Sequence, residues 1–170
     1  MSILVKNAAV LSIVVAFAMA VNAIAEAAEK REQTYVKSNF ITASKTTLTL
    51  GEGHEVTQEV VISDIKYSDP AFTPKSEWVY VHTDSVEGRG KQTGYYIDTH
   101  EDGTQTYGNF EGTIETTVKP DGSWDSTWEG TYQYLGGTGK YENIKGDGQY
   151  KGQASSEEPA KEEGQEVVEY

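Results

Sequence analysis

The sequence predicts an all-β fold, a sandwich or a barrel, with the barrel favoured. Three observations carry that prediction. Short stretches of alternating apolar and polar residues recur along the chain, with Gly, Asp and Pro between them. No helical period of useful length follows residue 30. Residues 109–152 place aromatics and glycines in step on the strands, which suits the bends and interior of a small barrel. The chain has no cysteine, so the Cys…Trp…Cys frame of an immunoglobulin-type sandwich is absent.

Residues 1–25 read as a secretory signal peptide. Lys6 gives a positive start, residues 8–20 are apolar and uncharged, and Ala23-Ile24-Ala25 fits a small-x-small cleavage site, with Ala18-Met19-Ala20 as a second candidate. The rival is an uncleaved anchor, but the run is short against the about 20 apolar residues of a spanning helix. The expected destination is the periplasm or the cell exterior, with no membrane association after cleavage. Roughly 145 residues then remain, enough for one domain with a single core.

Residues 26–34 are charged and read as a poorly ordered leader. Residues 35–42 and 46–50 have strand content, and Gly51-Glu52-Gly53-His54 reads as a turn. In residues 55–66, Val56, Val60 and Ile62 share one parity, while Val61 and Ile65 break strict alternation, as a bulge or two-sided burial would. Residues 68–74 carry two prolines and form the longest candidate lid or mouth loop. In the strand at 77–83, Trp78, Tyr80 and His82 share one face and Val79 and Val81 the other. Residues 91–99 form another strand, with Tyr96, Asp98 and His100 on one parity, and Asp102-Gly103 is a hairpin turn. The strand at 104–118 carries Phe110, Gly112, Ile114, Thr116 and Val118 in step, and Pro120-Asp121-Gly122-Ser123 turns it. On the return, Trp124, Trp128, Tyr132 and Tyr134 share a parity, with Gly130 at a bend or bulge. After Gly136-Gly137-Thr138-Gly139, a last strand runs over residues 141–152.

The run WEGTYQYLGGTGKYENIKGDGQYKG, residues 128–152, resembles the C-terminal strands of barrels related to allene oxide cyclase and the dirigent proteins. Small exported bacterial proteins share the pattern. The resemblance covers about a quarter of the chain and implies an antiparallel, roughly eight-stranded closed barrel. It implies little about activity, because its content is structural. The plant cyclases use a cysteine among a few polar pocket groups; this chain has none, and no catalytic residue carries over. The resemblance also allows a homo-oligomer, although no residue pattern specifies an interface.

Residues 153–170 hold six glutamates, one lysine, a proline and two serines. Such a composition buries little apolar surface, so the segment reads as a disordered acidic tail, and the barrel domain is expected over 26–152.

A net charge of −13 argues against nucleic acid and against anionic membrane surfaces as partners. Trp78, Tyr80, His82, Trp124, Trp128, Tyr132 and Tyr134 form the candidate ligand-binding set on strand parity. Two outcomes are open for them: a barrel of about eight strands either packs solid or holds one small ligand. Asp98 and His100 could pair for acid–base work, but no placed nucleophile accompanies them, and an exposed strand-end histidine is the plainer reading. The three histidines lack metal-site spacing, so neither metal nor cofactor is expected. The phosphate-loop, EF-hand and nucleophile-elbow patterns are absent. The expected role is a non-catalytic exported barrel that binds a small apolar or aromatic ligand. The alternatives are an isomerase or cyclase of the allene-oxide-cyclase type and a structural or protein-interaction module.

Overall fold

A computed structural model describes residues 30–170. The signal-peptide reading of residues 1–25 lies outside the described residues. Eight strands follow in chain order: β1 (Lys30–Gly51), β2 (His54–Tyr67), β3 (Ser76–Val86), β4 (Arg89–Thr99), β5 (Gln105–Val118), β6 (Trp124–Gly137), β7 (Lys145–Ser155) and β8 (Lys161–Glu169). One turn of 3-10 helix, Gly139–Tyr141, stands between β6 and β7. Each strand pairs antiparallel with the next, and β8 pairs with β1 from Lys30↔Glu169 to Lys37↔Glu162. The sheet thereby closes into a ring, a barrel without free edges over its paired length.

The turns are local products of the sequence. Asp102 accepts from the backbone N–H and the hydroxyl of Thr104, and Asp121 does the same for Ser123, so both Asp-Gly turns are fixed by their own side chains. Gly103 and Gly122 take the positive φ these turns need.

Three expectations are corrected here. Residues 153–170 are not a disordered tail: β7 continues to Ser155, and β8 is the strand that closes the ring. Composition misleads because two of the glutamates point inward and are satisfied there, Glu162 and Glu166 being 9% and 4% exposed. Lys30–Thr34 are likewise the start of β1 rather than a loose leader, and residues 35–50 form one continuous strand with register shifts at 38–41 and 42–44. The loop at 68–74 is no mouth: its Phe72 is fully buried and plugs one end of the ring.

That plug is aromatic. The Phe72 ring sits 4.9 Å from Tyr67, 5.4 Å from Tyr141, 5.3 Å from Tyr170 and 5.6 Å from His100, centroid to centroid. These edge and stacked contacts exclude water from the end of the ring where β2 leaves and β3 begins. Further up the interior, rings lie flat against glycines of the neighbouring strand. A Cβ built on Gly152 would fall inside the Trp128 indole, and one built on Gly148 would fall on the Tyr132 ring. Gly148 and Gly152 of β7 are therefore seats for aromatics, which explains their in-step spacing with Tyr150.

Candidate functional site: the cavity inside the ring

Above the plug the interior is not filled. A cavity of about 410 Å³ is lined from Tyr67 and Tyr132 near the plug to Trp124 and Ala160 at the opposite end of the ring. Trp124 begins β6, just after the hairpin, and at 38% exposed it stands at the rim. Phe40, Val79, Val81, Phe110, Ile114 and Trp128 form the apolar wall between. A space of this size with apolar walls and a few polar groups is the ordinary character of a small-molecule site.

The ion-paired polar groups come from β1, β3 and β8. Lys37 extends inward from β1, in step with Gln33 and Tyr35. Its Nζ lies 2.7 Å from Glu77 and 3.1 Å from Glu162, and 5.2 Å from the centre of the Tyr35 ring. Glu162 also accepts from the Trp128 indole N–H at 2.7 Å and from the Tyr35 hydroxyl at 3.3 Å. Glu77 accepts from the Ser63 hydroxyl. Burial alone would lower the Lys37 pKa; the facing carboxylates of Glu162 and Glu77 outweigh it and hold the ammonium charged, above its ordinary range.

Behind this group, outside the cavity lining, lie two more buried acids. Glu166 accepts from Gln33 at 2.6 Å, from Tyr134 at 2.9 Å and from Tyr132. Burial raises its pKa in spite of those bonds. Asp98 is 1% exposed; Thr106 donates to one oxygen at 3.4 Å, and the other has no partner. Burial first, and then the nearby Glu77 charge, push its pKa well up, so this side chain favours the protonated form.

The seven sequence-predicted residues divide. Trp124, Trp128 and Tyr132 line the cavity, and Tyr134 is buried just beneath it, against Phe72 and Glu166. Trp78, Tyr80 and His82 face outward instead, Trp78 being 41% and Tyr80 45% exposed. In β3 the inward parity belongs to Glu77, Val79 and Val81. The physical reason is the ion pair: Glu77 can reach Lys37 only from inside. The outward residues find apolar partners of their own, Trp78 between Ile62 and Ile97, Tyr80 between Val60 and Tyr95. Val56, Val60 and Ile62 of β2 lie on this same outer parity, while Ser63, Ile65 and Tyr67 are buried on the inner one.

The Asp98–His100 pair does not form. Both ring nitrogens of His100 lack hydrogen-bond partners, and the imidazole packs in the plug 4.5 Å from the Tyr141 ring. At 4% exposed it is also not the surface histidine of the plainer reading. Burial, and then the Lys140 charge, lower its pKa and keep it neutral.

Sequence reasoning missed Tyr35, Lys37, Glu77 and Glu162. Strand parity could have found Lys37, which shares a face with Gln33 and Tyr35. Glu162 was hidden by the composition of its segment. No group of metal-binding side chains occurs among the described residues, and no helix there is long and apolar enough to cross a membrane. Comparison of the chain with protein-family models, with curated proteins and with solved structures found no match.

Proposed function

We propose that the chain is an exported, non-catalytic β-barrel that binds a small apolar or aromatic ligand inside the ring. The observation that carries this reading is the 410 Å³ cavity, apolar along its wall and reached at the Trp124 rim. A solid barrel would leave no such space. The run at 128–152 supports kinship with the allene oxide cyclase and dirigent-like barrels. A binding role is favoured over isomerase chemistry by how the polar groups are committed. Lys37, Glu77 and Glu162 satisfy one another, and the two acids with raised pKa, Asp98 and Glu166, lie outside the lining.

The test uses phenylnaphthylamine, an apolar aromatic probe whose emission rises on leaving water. The protein is expected to bind it, and Ala154→Trp, which fills the rim from a half-buried position, is expected to abolish binding with the circular dichroism unchanged. Binding unaffected by Ala154→Trp would place the probe elsewhere and sink the reading. Native mass spectrometry of protein purified gently from its host would then identify any retained molecule.

A second role, contact with a partner protein, is favoured by the outer apolar ladder of Trp78, Tyr80 and Tyr95. Light scattering on Tyr95→Lys checks it: a lower assembly mass than the parent supports the role, and identical monomers argue against it.

A further inference from the structure

We infer that the cavity takes a small organic cation, an amine carried on an apolar body. The inference rests on the binding role proposed above and specifies the charge of the ligand.

The charged side chains of the lining are Glu59, Glu77 and Glu162 against the single ammonium of Lys37. That ammonium is fully committed, with Glu77 at 2.7 Å, Glu162 at 3.1 Å and the Tyr35 ring face beneath it. A ligand carboxylate would therefore meet no available cation. It would instead lie beside carboxylates in a space withdrawn from water, where like charges repel far more strongly than in solution. Glu59, near the rim, is held by the Thr42 hydroxyl and, more loosely, by Lys45 at 4.0 Å. Its charge faces the part of the cavity that a ligand enters first.

The wall adds to the same preference. Trp124, Trp128, Phe40 and Phe110 present aromatic surface to the cavity, and indole and phenyl faces attract an organic cation. A neutral ligand of equal shape would gain the apolar burial and lose the rest.

Three probes of matched shape separate the possibilities: phenylbutylammonium, phenylbutanol and phenylbutanoate, titrated calorimetrically into the protein near neutral pH. Indole emission from Trp124 and Trp128 reports occupancy in parallel. The ammonium is expected to bind about tenfold tighter than the alcohol, the scale of one desolvated cation–π contact. The carboxylate is expected to bind more weakly than the alcohol. Glu59→Gln is expected to narrow the ammonium-to-alcohol gap by about threefold, as loss of one partly exposed charge implies. If the alcohol or the carboxylate binds as tightly as the ammonium, the inference falls while the binding reading stands. A gap that Glu59→Gln leaves intact overturns the assignment of the preference to this lining. If none of the three binds, the inference falls as well, and phenylnaphthylamine then decides the binding reading by itself.

Discussion

Lys37 and Glu162 are partners twice over: their backbones stand in register across the β1–β8 seam, and their side chains meet at 3.1 Å inside it. The ring is therefore closed by an ion pair at the same place where it is closed by the backbone ladder. Both side chains are largely withdrawn from solvent, at 12% and 9% exposed. The Lys37→Met variant strands two carboxylates, Glu77 and Glu162, without a counter-charge. The expected loss is about 3–5 kcal/mol of unfolding free energy, measured by urea denaturation. The triple variant with Glu77→Gln and Glu162→Gln added should recover a large part of it, because no uncompensated charge then remains. No recovery would mean that the packing of the lysine stem, not charge, was lost.

Removal of β8 tests the corrected reading of the C-terminal segment. A chain stopped after Ser155 loses every β1–β8 and β7–β8 pairing and bares two strand edges. It is expected to be largely unfolded or aggregated by circular dichroism and size-exclusion chromatography. A disordered tail would instead come off with no change in either measurement.

Gly152→Ala tests the seating of Trp128. The added Cβ must displace the indole, which is itself anchored to Glu162 through its N–H. The expected cost is about 1–3 kcal/mol, as for overpacking elsewhere in protein interiors. A neutral result in thermal melts would show that the ring moves aside freely.

His100 predicts an acid-side loss of stability. Its pKa is lowered in the fold by burial first and by Lys140 second, while the smaller influence of Asp102 acts the other way. Below the ordinary histidine range the unfolded chain then binds a proton that the folded chain refuses. This contribution is complete above about pH 6.5 and is lost as pH falls toward the lowered folded value. Denaturation series for the parent and His100→Phe should differ by that slope. Parallel profiles would show that the imidazole protonates in place.

Asp98 predicts the opposite sign. Its folded pKa is raised, so the folded chain holds a proton that the unfolded chain releases. The stability it contributes is present at low pH and falls as pH rises through the folded value. Asp98→Asn keeps the shape without the charge, and at neutral pH it should be within about 1 kcal/mol of the parent or more stable. A large loss in Asp98→Asn would mean that the carboxylate is ionised and needed in that form.

The hairpins from β2 to β6 were legible because their turns and their alternation are both local. Pro120-Asp121-Gly122 and Asp102-Gly103 fix their hairpins through their own side chains, so no tertiary knowledge is needed to place them. Direction across the wall was less legible. Alternation in β3 separates Trp78 and Tyr80 from Glu77 and Val79, but it does not say which set faces in. The aromatics were the wrong choice because the destination of Glu77 is set by Lys37, forty residues earlier in the chain. In β6 the same reasoning placed Trp128 and Tyr132 correctly, since glycines on the next strand make room for them on one side only. Composition failed for β8, where a glutamate counts as water-seeking whether or not an indole and an ammonium await it. Nothing local to residues 161–169 announces Lys37.

The seam between β1 and β8 also sets a schedule for the nascent chain. Tyr35 pairs with Gly164, so the first strand has only one of its two neighbours until the last has emerged from the ribosome. During synthesis β1 to β7 can at most form an open, curled sheet with an unpaired border at each side. Contacts this distant in sequence are slow to form, and the incomplete sheet is the species most exposed to wrong partners. The seam residues thus govern when the molecule becomes itself as well as how firmly it stays so. A chaperone that keeps the chain from pairing wrongly would have to act until β8 is made.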